Sequence, residues 1–357
     1  MINYLHLNFS FSDHLGLIDG KSSAAIYFFL GKNNYYSEEI SFSFLEELLG
    51  QINQNISLDY GSGLAGIGSL INYLHKKGFL EESPIRLFSE PEDTLIKVLF
   101  GARCREITFS QGLPGIGMYF LFRLKDKSFS EDSFQVMRYK EAIIASIDQL
   151  DHLIKGMQIQ ELNQYDLSIW NGWSGVYLYL LQVEQLGYIK EKIAELTHKV
   201  RKIITDKLAE EKVSWLQLEA WWTLFQEPSS WQNEKMVARM EMYIEHVSKE
   251  QVDFYQSAIY ALFLNLLDKA TGALALSKQL EQYSRKTLEE IPLSRLFPAD
   301  PRTGAIPMGL ERGVVGTALP LQSLETGNCD WLELLGMGEM KNGKLKIKNE
   351  KQAEDVS

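Results

Sequence analysis

Gly63-Leu64-Ala65-Gly66-Ile67-Gly68 and Gly112-Leu113-Pro114-Gly115-Ile116-Gly117 are two copies of one phrase, each running into an apolar stretch that ends near Leu74 and Leu124. Asn171-Gly172-Trp173-Ser174-Gly175 through Val183 and Gly313-Val314-Val315-Gly316 through Leu324 are looser copies. Asp19-Gly20 through Leu30 and Gln256-Ser257-Ala258 through Leu267 keep the apolar run with fewer glycines. A phrase that recurs along a chain means a repeat architecture. The gap from Gly172 to Gln256 is about twice the others, and Trp215 to Phe225 lies midway without glycines, so the count comes to seven units.

Two kinds of helix alternate. The stretch after each glycine pair, such as Ile116 to Phe122 or Val176 to Leu181, is apolar nearly all round, the pattern of a helix with protein on every side. Between them, Glu38 to Ile52, Phe134 to Ile154, Ile189 to Leu208, Asn233 to Val247 and Ala273 to Ile291 are amphipathic at three- and four-residue steps. Inner helices alternating with outer ones predict an all-α fold, an α/α toroid of seven hairpins over residues 1–337. An open solenoid uses the same pattern, but its period is tighter than the one seen here. A glycine ahead of each inner helix suits positive φ, and a second one three residues on suits close approach of two helix ends. Pro114 fits a first helical turn. As phosphate loops the phrases are weak, because no Gly-Lys-Ser/Thr follows them and no strand precedes. Residues 338–357, rich in Lys, Asn and Glu, predict a flexible tail.

A chain of 357 residues that is 45% hydrophobic can bury a large core, and its net charge of −11 speaks against a nucleic-acid surface. Cys104 and Cys329, the two cysteines, form neither a disulfide framework nor a zinc cluster, which fits a reducing, cytoplasmic setting. Residues 1–20 lack the marks of an export signal. Apolar runs such as Ala24 to Leu30 and Ala258 to Leu267 are well short of the ~20 residues that cross a bilayer.

The phrases at Gly63, Gly112, Asn171-Gly172 and Gly313 resemble the inner-helix motifs of the lanthionine synthetase C-like family, over roughly residues 15 to 335. That resemblance implies the seven-hairpin toroid and action on ribosomally made precursor peptides, beside other peptide-maturation enzymes. It also implies a zinc ion held by a cysteine after a tryptophan in the fifth unit and by a Cys-His pair in the sixth. A histidine ahead of an earlier unit's glycine would handle a proton. Here Trp215 is followed by Leu216, the Cys-His place falls at Tyr255-Gln256, and Gln111 and Asn171 precede the glycines. Leu, Tyr and Gln are not zinc ligands. The expectation is a family member with no zinc cofactor, which binds a precursor peptide without zinc-dependent cyclisation.

Inner-helix N-termini that converge on one mouth present N–H groups and partial positive charge to a ligand. Candidate mouth residues are Asp19 and Lys21, Asp59 and Tyr60, Gln111, and Trp170 with Asn171 and Trp173. Asp166, Trp215, Tyr255 with Gln256, and Glu311 with Arg312 complete the set. Aromatic and amide groups dominate it, which suits gripping a peptide. Against this, Asp19, Asp59 and Asp166 also suit helix caps, the tryptophans suit packing, and Glu311 beside Arg312 suits a local ion pair. None of the six histidines precedes such a glycine. The alternative function is a carbohydrate-active α/α toroid, with Trp170 and Trp173 stacking on sugar and Asp166 or Glu311 moving protons.

Overall fold

The computed structural model describes residues 2–9, 12, 14–18, 20–30, 35–53, 55–125, 133–210, 212–227, 230, 233–271, 273–337, 340–341 and 344–345. It is all-helical apart from a short antiparallel pairing of Met340–Lys341 with Lys344–Leu345. That pairing falls in the expected tail, whose remaining residues lie outside the described ones.

Seven helices are buried nearly all round: α2 (Lys21–Leu30), α4 (Leu64–Lys76), α6 (Leu113–Leu124), α9 (Trp173–Glu184), α11 (Gln217–Leu224), α13 (Phe254–Thr271) and α16 (Val314–Thr326). Amphipathic helices precede them: α1 (Ile2–Phe9), α3 (Tyr35–Gly50), α5 (Pro84–Phe100), α7 (Phe134–Gly156), α10 (Lys190–Glu210), α12 (Glu234–Val247) and α14 (Leu274–Glu290). Two short helices, α8 (Ile159–Gln164) and α15 (Leu293–Leu296), are extra. The helix α5 carries Pro91 inside it and is kinked at Phe88. In space, α2 packs on α4, α4 on α6, α6 on α9, α9 on α11, α11 on α13, α13 on α16, and α16 on α2. No helix follows α16 as an outer partner among the described residues; α1 lies on α2, and its Tyr4 hydroxyl donates to Phe297 O at 3.0 Å.

The glycines act by size. Those at the N-caps of α4, α6, α9 and α16 have φ between −129° and −102°, extended backbone open to any residue, so the expected positive φ is not their reason. Each lead-in loop instead folds back over the first turn. Lys21 N–H donates to His14 O (2.9 Å), Leu64 N–H to Ser57 O (2.9 Å), and Leu113 N–H to Glu106 O (3.0 Å). Trp173 N–H donates to Asp166 O (3.0 Å) and Val314 N–H to Pro307 O (2.9 Å). All five bonds span seven residues. They satisfy N–H groups that side-chain caps usually take, and no side chain caps these helices. A Cβ on Gly66, Gly115, Gly175 or Gly316 would collide with the carbonyl oxygen of Tyr60, Phe109, Ile169 or Leu310. Close approach of neighbours, the expected reason, also holds: Cβ atoms at Gly115 and Gly175 would meet the Cβ of Tyr60 and Phe109 at 2.5 and 2.6 Å.

The segment after α16 turns inward as a 3-10 helix (Asp330–Leu335) whose Trp331, Leu334 and Leu335 are buried. Leu334 O accepts the Tyr60 hydroxyl (2.6 Å), Trp331 Nε1–H donates to Ser323 Oγ (2.8 Å), and Trp222 Nε1–H donates to Met337 Sδ (3.1 Å). Gly336 has φ +76°, and a Cβ there would meet Met118 Cε at 2.5 Å. Lys76 and Lys77 reach Glu333 and Asp330 at 2.9 and 2.6 Å. The chain thus fills space between its buried helices with its own later residues. On the other side, Glu92 accepts from Arg123, Tyr119 and Tyr139, a buried ion pair with partners from α5, α6 and α7.

Gly66→Ala is expected to lower unfolding free energy by about 3 kcal/mol, the upper end for forcing an extra methyl into a packed site. Gly50→Ala, where an added Cβ meets no atom, should change it by less than about 1 kcal/mol. Urea denaturation of the two variants checks this, and equal stabilities would contradict it.

Candidate functional site

Successive lead-in loops are laced together through one equivalent position, two residues before each glycine. Glu311 N–H donates to Ile18 O (3.0 Å), Ile18 N–H to Gly61 O (2.9 Å), Gly61 N–H to Ser110 O (2.7 Å), and Ser110 N–H to Trp170 O (2.8 Å). The run then stops. The lead-ins of α11 and α13 have no seven-residue loop: Gln217 N–H donates to Ser214 O, and Gln256 and Ser257 N–H both donate to Asp253 O. In place of a loop, α11 sends the Glu219 carboxylate, which accepts Ile169 N–H at 2.6 Å.

A cavity of about 200 Å3 occupies this break. Trp170 and Asn171 line it from the α9 lead-in, Leu216 and Glu219 from α11, Tyr255, Gln256, Ile259 and Phe263 from α13, and Glu311 and Arg312 from the α16 lead-in. Asp166 stands at the exposed rim, while Trp331 and Leu335 close the buried side. Arg312 has φ +56°, rare for a residue with a Cβ, and its guanidinium lies 4.0 Å from Asp253.

Glu219 is 6% exposed and also accepts the Tyr260 hydroxyl at 3.3 Å. Burial pushes its carboxyl from 4.5 up to about 7; the charges of Asp166 and Glu311 add to the rise, and the Ile169 and Tyr260 hydrogen bonds oppose it. Burial also raises the Tyr260 and Tyr243 phenols, so both remain protonated beside it.

Of the sequence-derived candidates, the structure gathers Asp166, Trp170, Asn171, Tyr255, Gln256, Glu311 and Arg312 at this cavity. The others are elsewhere. Lys21 is fully buried and pairs with Glu47 at 2.5 Å, because the first residue of α2 faces α3. Asp59 tightens its own loop, accepting Ser62 N–H (2.6 Å) and the Ser57 hydroxyl. Tyr60 is buried against Phe109 and the C-terminal segment. Gln111 is exposed, away from the cavity. Trp173 points away, its indole N–H donating to Leu162 O (3.1 Å). Trp215 donates to Glu250 O (3.2 Å) and stacks on Tyr260. Asp19 lies outside the described residues. Asp166 keeps a loop-capping role at the rim, accepting the Ser168 N–H (2.8 Å) and hydroxyl (2.6 Å).

Glu219 is the site residue that sequence reasoning missed. Its signal was present: it is the one charged side chain in Gln217–Leu224, a helix otherwise buried and apolar. The positions where a zinc-binding relative would carry its ligands hold Leu216, Tyr255 and Gln256; the Tyr255 hydroxyl donates to Leu296 O (2.6 Å). A hydrocarbon, an engaged phenol and a neutral amide do not fit a zinc ion. A comparison with models of protein families finds no match, and one with curated proteins finds none either.

Protonated Glu219 is the form that folding favours. Its contribution to stability is therefore complete below the unfolded value near 4.5 and lost as pH rises through about 7, amounting to about 3 kcal/mol. Wild type minus Glu219→Gln in unfolding free energy should fall by that amount from pH 4 to pH 8. A pH-independent difference would contradict the assignment.

Proposed function

We propose that this chain is a divergent lanthionine synthetase C-like protein, an α/α toroid of seven hairpins acting in the maturation of a ribosomally made peptide. It binds the precursor peptide at the break between Trp170 and Glu311, beside other maturation enzymes, and does not perform zinc-dependent thioether cyclisation. The succession of seven buried helices in which α16 meets α2 supports the toroid. The observation that carries the function is the interrupted lacing. Backbone runs Glu311, Ile18, Gly61, Ser110, Trp170 in one hydrogen-bonded series, and the place of two further members is a cavity. An extended peptide is the ligand that can continue such a series, with main-chain bonds for affinity and the cavity for a side chain. Trp170 and Tyr255 supply flat apolar area, and Asn171 and Gln256 supply amides.

A second reading has one observation in its favour. Glu219, with its raised value, shares the cavity with Asp166, Glu311 and Trp170, the ingredients of a glycosidase. Against it, Glu219 and Asp166 already accept hydrogen bonds from the chain.

Isothermal titration with a precursor peptide encoded beside the gene for this chain is expected to show binding, weakened about tenfold or more by Trp170→Ala, as for an aromatic anchor. Dialysed protein should hold well below one zinc per chain by elemental analysis. Absence of peptide binding, hydrolysis of oligosaccharides lost in Glu219→Gln, or one tightly held zinc would each overturn the proposal.

A further inference from the structure

We propose that the cavity beside Glu219 recognises a primary ammonium group, carried by a lysine side chain or by the amino terminus of a peptide. This rests on the peptide-binding reading and gives it a substrate class.

Three carboxylates reach the cavity from three separate elements: Asp166 from the loop before α9, Glu219 from α11, and Glu311 from the lead-in of α16. Arg312 is the one cation among the lining residues; it is largely exposed and 4.0 Å from Asp253, another carboxylate. Negative potential therefore accumulates here, and its effect is felt inside the molecule, where Asp166 and Glu311 both push Glu219 toward its protonated form. A bound cation reverses that push. Glu219 has lone pairs to offer. A carboxylate has about four acceptor sites, and Ile169 N–H and the Tyr260 hydroxyl account for two of them.

Other cations fit less well. Among the described residues no group of three His, Cys, Asp or Glu side chains is placed to hold a metal ion. A guanidinium is planar and pairs edge-on, in its own plane, with a single carboxylate, whereas an ammonium offers three donors in different directions to acceptors on different elements. Trp170, Tyr255 and Phe263 supply aromatic surface for the methylene stem and for cation–π attraction. The volume of about 200 Å3 lies below the roughly 300–1,000 Å3 of sites that enclose drug-sized ligands, so it admits one side chain or one chain end.

Titration of the full-length protein with four probes tests this: N-acetylated, C-amidated Gly-Gly-Lys-Gly-Gly, the same peptide with Nε-acetyl-lysine, an amidated penta-glycine with a free amino terminus, and butylammonium chloride. The lysine peptide is expected to bind at least about tenfold more tightly than its acetylated counterpart. The free-amine glycine peptide shows whether a chain end serves as well. Affinity for the ammonium probes should rise between pH 6 and pH 8 as Glu219 ionises, with the Tyr243 and Tyr260 phenols neutral throughout; the charged groups that face it from other elements are Asp166, Glu311 and Arg312. Glu219→Gln should abolish the lysine preference and its pH dependence. If that variant does not fold by circular dichroism, Glu311→Gln, at an exposed position, should reduce the preference about threefold. Equal affinity for the lysine and acetyl-lysine peptides would overturn the ammonium assignment and leave peptide binding standing. Binding of butylammonium without either peptide would uphold the ammonium and overturn the peptide reading. No binding by any probe would overturn this inference.

Discussion

The hydrogen bond that closes each lead-in loop, from the first helical N–H to a carbonyl seven residues back, is the constraint from which the rest of the molecule follows. It places loop carbonyls directly over the first turn of a buried helix. At α4, α6, α9 and α16 a side chain at the N-cap or three residues later would occupy the same space, so glycine is required there for room, whereas α2, closed by the same bond, carries Ser23 at the later position. The loop also takes over the work of a side-chain cap, which explains why buried helices begin without a capping Ser, Thr or Asp. With its first N–H groups satisfied internally, each loop has backbone left over at the position two before the glycine. That leftover N–H and C=O lace one unit to the next.

The cavity exists because two units abandon this scheme. Without a seven-residue loop before α11, Ile169 N–H has no backbone carbonyl to meet, and a buried donor left unpaired costs about 1–3 kcal/mol. Glu219 fills that role from within the helix. The substitution of a carboxylate for a carbonyl has a chemical consequence: a neutral acceptor is replaced by one that can be charged, held where desolvation disfavours the charge. A structural repair and a titratable group are the same atoms. The two units that lost the repeat's glycines are therefore where the chemistry of the site resides.

The alternation of buried and amphipathic helices was legible from residues alone, since full apolarity against one-sided apolarity is a statement about surroundings that any helix carries. Boundaries agreed to within a few residues, as for Asn233, which caps α12. Which way each side chain near a helix start faces was not legible. Lys21 and Trp173 each follow directly after a lead-in glycine, as Leu64 and Leu113 do, and all four turn inward to protein. The partner of Lys21, Glu47, is on the next helix, a distance in sequence that no local pattern encodes. The expected residues that do line the cavity, Asp166, Trp170, Asn171, Tyr255, Gln256, Glu311 and Arg312, lie at the entries of the helices that border the break, whereas Asp59, Tyr60 and Gln111, also ahead of a glycine, belong to laced loops away from it. Which helix entry a residue belongs to, together with its place ahead of the glycine, separates the two groups.

The C-terminal segment sets the size of what can bind. Seven buried helices in succession leave more space between them than their own side chains fill. Residues 330–337 enter it and touch α4 through Tyr60's neighbourhood, α6 at Met118, α11 at Trp222 and α16 at Ser323. Gly336 is needed because its left-handed turn, φ +76°, strains any residue that carries a Cβ. With Trp331 and Leu335 as its inner wall, the cavity is closed behind and open beside the lead-in loops. Asn171, Glu311 and Arg312 are exposed and Glu219 is buried, so the way in to Glu219 passes across them. For the proposed peptide, backbone contact at the broken series would come first and selection of a single side chain second.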